Sequence, residues 1–149
     1  MTRLWFLSPF LLLLSLALPA SAVLGEAAPS VQNDQARMKG ALRISHAQAY
    51  DLHEIQAPFG TVVREYVSPA SKKVFAVTWQ GPRIPNLRQL LGAYFDQFAR
   101  AAQARRGHGP LNVQLPGLVV QSAGHQRAFA GRAYLPQELP QGVRAEELR

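Results

Sequence analysis

Residues 73–106 read KVFAVTWQGPRIPNLRQLLGAYFDQFARAAQARR, and the change of period in the middle of this stretch decides the fold. From Lys73 to Trp79 the period is two: Phe75, Val77 and Trp79 alternate with Val74, Ala76 and Thr78. That is the pattern of a strand, whose successive side chains point to opposite faces, and the three large side chains are expected on the core face. Gly81-Pro82 and Pro85 stop the strand. Leu87, Leu90, Leu91, Tyr94, Phe95 and Phe98 then recur at the spacing of one helix face, with Arg88, Gln89, Asp96, Gln97 and Arg100 on the other side. Asn86 suits the N-cap, where its side-chain oxygen accepts a free amide of the first turn. Arg105-Arg106 complement the negative end of the helix dipole, and Gly107 is the expected left-handed cap. One helix over 86–106 would be about 30 Å long, enough to cross a four-stranded sheet.

Upstream lie short β-type runs separated by turn residues: Ala41 to Ile44, Tyr50 to Ile55 and Thr61 to Val67, with Pro58-Phe59-Gly60 and Ser68-Pro69-Ala70-Ser71 turning the chain. Connections this short demand antiparallel pairing. Downstream, Leu111 to Gln114, Leu118 to Gln121 and Gln126 to Tyr134 supply two or three more strands, and a proline-containing tail runs from Pro136 to Arg149. The fold class read from this is α+β: an antiparallel β-meander of about six strands with one long amphipathic helix packed across a face. Residues 40–149 form its single domain, and residues 23–39, rich in Ala, Pro, Ser, Gln and Asn without apolar periodicity, are expected to be a flexible arm.

The start of the chain has a different character. Met1-Thr2-Arg3 precedes an uncharged run from Leu4 to Leu18, and Pro19-Ala20-Ser21-Ala22 follows. A basic residue, an apolar stretch shorter than the ~20 residues of a membrane span, and small residues at Ala20 and Ala22 make a signal peptide over 1–22, cut by signal peptidase after Ala22. The expected product is periplasmic or extracellular, with no transmembrane anchor. Taking 22 residues from 149 leaves 127, a usual size for one domain. The chain has 16 basic and 9 acidic residues, and Arg3 leaves with the signal peptide, so the mature charge is 15 − 9 = +6. Its cations are scattered, which favours solubility over a nucleic-acid site, and no nucleic acid is expected. The chain has no cysteine, which excludes thiolate zinc, cysteine catalysis and lipid attachment through a thiol.

Chemistry-bearing residues are sparse. His46, His53, His108 and His125 show no metal-ligand spacing, and no cofactor or metal is expected. Asp51 and His53 would share a face of a strand, read here as the solvated face of an edge strand. Alternation places Arg64 and Tyr66 on one face and Glu65 on the other with Val63 and Val67. If that second face is the inner one, Glu65 is buried and needs a cationic partner, whether a structural ion pair or a ligand. Arg64, Glu65, Tyr66, His53 and Asp51 are therefore the candidate ligand-facing or structural polar residues, and no catalytic constellation stands out.

The runs Val63-Arg64-Glu65-Tyr66-Val67-Ser68-Pro69, Val74-Phe75-Ala76-Val77 with Trp79 and Gly81-Pro82, and Pro85-Asn86-Leu87-Arg88-Gln89-Leu90-Leu91-Gly92 resemble a family of small exported proteobacterial proteins known only as a domain of unknown function. Leu118-Val119-Val120, Gly131-Arg132-Ala133-Tyr134 and Leu139-Pro140 fit the same likeness, which covers nearly all of the mature chain. Asn86 departs from it, since relatives tend to carry Asp there, and both residues cap helices. The resemblance implies export and one compact domain; it implies no activity, cofactor or catalytic residue. The function expected is a non-catalytic module that binds an envelope protein, a peptide or an apolar small molecule. The alternatives are a basic adaptor for anionic envelope surfaces, or a hydrolase with an unrecognised site.

Overall fold

The computed structural model describes residues 24–149, so the expected signal peptide, with Ala20 and Ala22, lies outside the described residues. The chain forms α1 (Ser30–Met38), β1 (Ala41–His46), β2 (Asp51–Gln56), β3 (Val62–Val67), β4 (Val74–Gly81), α2 (Leu87–Leu91), α3 (Phe95–Ala104), β5 (Leu111–Leu115), β6 (Leu118–His125) and β7 (Ala128–Tyr134). All seven strands join one antiparallel sheet in the order β1-β2-β3-β4-β7-β6-β5. The architecture is α+β with seven strands rather than about six. It is also two meanders rather than one: β1 to β4 and β5 to β7 meet at the β4–β7 pair. Helices α2 and α3 carry the chain from the middle of the sheet to its far edge at β5.

The expected long helix is present as a continuous helical stretch over residues 87–104, with a kink where α2 passes into α3. Asn86 caps α2 as expected, its Oδ1 accepting from the Gln89 amide at 3.3 Å. Gly92 then takes a left-handed φ of 49°, a 3-10 turn follows, and α3 restarts at Phe95. A glycine reaches that conformation without a Cβ clash, so the periodic stripe continues while the axis resets. The end of the helix also differs from expectation: Arg105 is extended, and Gly107 falls in the following loop rather than at the cap.

A β-bulge corrects the reading of β4. Glu65 pairs with Val77 and Tyr66 with Ala76, but Val67 pairs with Val74, so Phe75 is the extra residue. The alternation slips there by one. Val77 and Trp79 face the helices with Val74, whereas Phe75 joins Tyr66 and Ala76 on the opposite face. Trp79 lies flat against Gly131 of β7; a Cβ at that position would come within 2.2 Å of the indole. Absence of a side chain at 131 is what lets the largest core residue lie against its neighbouring strand.

Residues 24–38 are not a loose arm. Leu24 and Val31 are fully buried in the helix-side core. The amide of Gly25 donates to the Val74 carbonyl at 2.8 Å, and that of Val74 to the Glu26 carbonyl at 2.9 Å. Two buried apolar anchors, Leu24 and Val31, seven residues apart are too few to make a periodic signal; Ala28 and Met38 pack beside them, and Asp34 of α1 accepts from Gln89. The other face of the sheet is covered by the tail. Val143 and Leu148 pack on Tyr66, Phe75 and Ala76, over an aromatic cluster in which Tyr50 meets Tyr66 edge-on at 5.1 Å.

Candidate functional site

Away from the bulge at Phe75 the strands pair in continuous register, so side chains fall into rows that cross all seven strands. The row Ile44–His53–Glu65–Val77–Ala133–Val120–Val113 lies on the helix side. Glu65 in its middle is 0% exposed, and neither carboxyl oxygen has a hydrogen-bond partner. Among the described residues no cation pairs with it, contrary to expectation; Arg64 bonds instead to Glu54 on the opposite face. A carboxyl group so placed stays protonated. Burial, and then the negative charge of Asp34, push its pKa up to about 9.

Helix α1 brings Asp34 to this spot. Asp34 is also buried; its Oδ1 accepts from Gln89 Nε2 at 2.5 Å, while Oδ2 has no partner. Burial raises its pKa to about 6, against the Gln89 hydrogen bond and the charge of Arg37. His53 stands across from Glu65 with its Nδ1 buried and unpartnered, and burial holds the imidazole below its usual range. Asp34 and Glu65 are sealed between α1, α2 and the sheet, whereas His53 is half-buried.

The next row, on the tail side, is Arg43–Glu54–Arg64–Thr78–Arg132–Gln121–Asn112, a polar ladder spanning the full width of the sheet. Arg64 Nε donates to Glu54 Oε2 at 2.7 Å, and Arg132 Nε to Gln121 Oε1 at 2.7 Å. The same guanidinium groups clip the tail. Arg132 Nη1 donates to the Ala145 carbonyl at 2.6 Å and Arg64 Nη1 to that of Arg149 at 3.4 Å. Tyr66 Oη donates to the Arg149 carbonyl at 2.8 Å and accepts from the Arg149 amide at 3.2 Å. Arg64 and Tyr66 thus hold the chain's own tail. Asp51 lies at the end of its strand, where His46 Nδ1 is 2.6 Å from its Oδ1 and that hydrogen bond lowers its pKa. β2 is the second strand and not an edge, since β1 covers it. Among the described residues no group of three or more His, Asp or Glu side chains could hold a metal ion.

Beside the tail, the same face of the sheet carries a concavity. A cleft of about 580 Å³ lies over β4, β7, β6 and β5, bounded by Leu148 and Arg149 and lined by Gln80, Asn112, Gln121 and Arg132. Ala123 and Ala130, paired across β6 and β7, line it with methyl groups beside the longer side chains of Gln121 and Arg132.

A family model matches residues 20–148, so the likeness covers the whole described domain. The chain belongs to the DUF2844 family. That family is described as a protein of unknown function, which adds no activity and no site residue. No curated protein and no solved structure matches the chain. In this DUF2844 member the cleft residues Gln80, Asn112, Gln121 and Arg132 escaped sequence reasoning. Each is one polar residue in a period-two strand, and only the β4–β7 pairing brings them together. Asp34 was hidden in a segment without periodicity.

Proposed function

We propose that this chain is exported and acts as a non-catalytic binding module, with the cleft beside the tail as its ligand site. The occupant that suits the cleft is an extended peptide segment. The side-chain amides of Gln80, Asn112 and Gln121 can donate to and accept from peptide groups, and the guanidinium groups of Arg132 and Arg149 meet carbonyl or carboxylate oxygens. The observation that carries this reading is the make-up of the lining: side-chain amides and guanidinium groups set among apolar residues such as Leu111, Leu148, Ala123 and Ala130, with no Asp, Glu or His among the residues that line it. Such a surface can hold a polar ligand but has no acid–base pair with which to transform it. Export is supported by the order of residues 1–22: one basic residue, an apolar run, then Ala20 and Ala22.

Native mass spectrometry of the protein recovered from the periplasm of an expressing bacterium tests both parts. The expected species has the mass of residues 23–149 and carries peptide adducts that Ala123→Leu removes by filling the cleft. An unprocessed mass would sink the export reading. A processed protein without adducts, giving no response to a peptide library, would sink the binding reading.

A further inference from the structure

Three large hydrophobic side chains are exposed among the described residues, and two of them sit together: Phe59 at 73% and Ile84 at 47%. They belong to two loops that the β3–β4 pair holds side by side. The Thr61 hydroxyl donates to the Arg83 carbonyl at 3.0 Å, and the Arg83 guanidinium lies 4.6 Å over the Phe59 ring. Phe59 has a φ of 75°, the left-handed region that a bulky residue seldom occupies, and in it the chain presents an aromatic ring to water. Between the loops and the end of α1 runs a groove of about 400 Å³ that Met38, Pro58 and Pro85 make apolar. Its charged lining residues are Arg37, Lys39 and Arg83, and no Asp or Glu is among them.

An apolar tip ringed by cations alone is the pattern of a protein that rests on a lipid surface. The apolar side chains enter the boundary between headgroups and acyl chains, and the cations stay at the depth of the phosphates. A protein partner would not need every charged group at the rim to be of one sign. We propose that this edge of the domain docks on bilayers that carry anionic lipid, with Phe59 and Ile84 inserting and Arg83 and Lys39 meeting the lipid phosphates. The patch lies on loops separate from the cleft, so it is a second surface and does not depend on a ligand there.

The absence of cysteine makes a local test clean. Ile84→Cys and, separately, Phe59→Cys are introduced into the full chain and spin-labelled, with Gln137→Cys on the exposed tail as the reference. Oxygen accessibility of the label is then read on vesicles of equimolar phosphatidylglycerol and phosphatidylcholine, and on phosphatidylcholine alone. Attachment of the chain through residues 4–18 does not register, because each label reports only its own depth. Labels at 84 and 59 are expected to become lipid-like on the anionic vesicles only, while the label at 137 stays water-like on both. Adding Arg83→Gln and Lys39→Gln should weaken insertion by about fivefold per charge removed. Water-like labels at 84 and 59 on anionic vesicles overturn the proposal, as does equal insertion into phosphatidylcholine alone. Spectra that broaden with protein concentration in the absence of lipid would assign the patch to a second copy of the chain, and would equally overturn it.

Discussion

The two faces of the sheet are built on different principles. On the helix side sixteen buried apolar residues, from Leu24 to Leu135, form one cluster under α1, α2 and α3. On the tail side five do, and the cover is an irregular segment held by Tyr66, Arg64 and Arg132 through its main-chain oxygens. The first face is sealed by packing and the second is clipped by hydrogen bonds. Stability therefore resides under the helices, and room for a ligand is left beside the clip. Even the polar groups follow this division: on the helix side Asp34 and Glu65 are shut in, whereas the ladder on the tail side lines the cleft.

The largest effects expected from this contrast come from truncating the core on each side. Trp79→Ala should cost about 3–5 kcal/mol, since it removes the indole packed on Gly131. Leu148→Ala, although equally buried, should cost about 2 kcal/mol, because the tail can settle into the space left behind. Urea unfolding of both variants measures the gap. Equal losses would mean that the tail is as rigid a cover as the helices.

A pH series sharpens the contrast through Glu65. Its pKa is raised from 4.5 to about 9 on folding, so between those values the folded chain holds a proton that the unfolded chain has released. Glu65's contribution is whole below pH 4.5 and is lost as pH rises to about 9; Asp34 adds a similar loss between 3.8 and about 6. The urea midpoint of the native protein should thus fall from pH about 6 to about 9, and that of Glu65→Gln should stay nearly level. Parallel slopes would show that the acid finds a partner or water in solution.

The smallest effect belongs to the clip. Tyr66→Phe deletes the hydroxyl that bonds to both the amide and the carbonyl of Arg149, and should lower stability by about 1 kcal/mol. Hydrogen exchange should then quicken at residues 145–149 and stay unchanged in α1. Unchanged exchange in the tail would leave the apolar contacts of Val143 and Leu148 as the whole of its attachment.

Local chemistry alone fixed much of this protein. Period-two runs with turn residues between them define the strands, the apolar stripe from Leu87 to Phe98 defines the helical segment, and Asn86 marks where it begins. These signals are legible because a strand or helix with one buried face must repeat its apolar residues at its own period. The side of the sheet on which Glu65 lies was also within reach, since alternation ties it to Val63 and Val67. What it would meet there was not, because Asp34 comes from a helix with too few anchors to announce itself. Three further features belong to the tertiary structure: the bulge that turns Phe75 away from Val77, the pairing of β4 with β7 that joins the two meanders, and the cleft over that junction. Each depends on which distant strands come together and in what register. Period and propensity along one chain carry no term for that choice, which is made by how well whole faces pack.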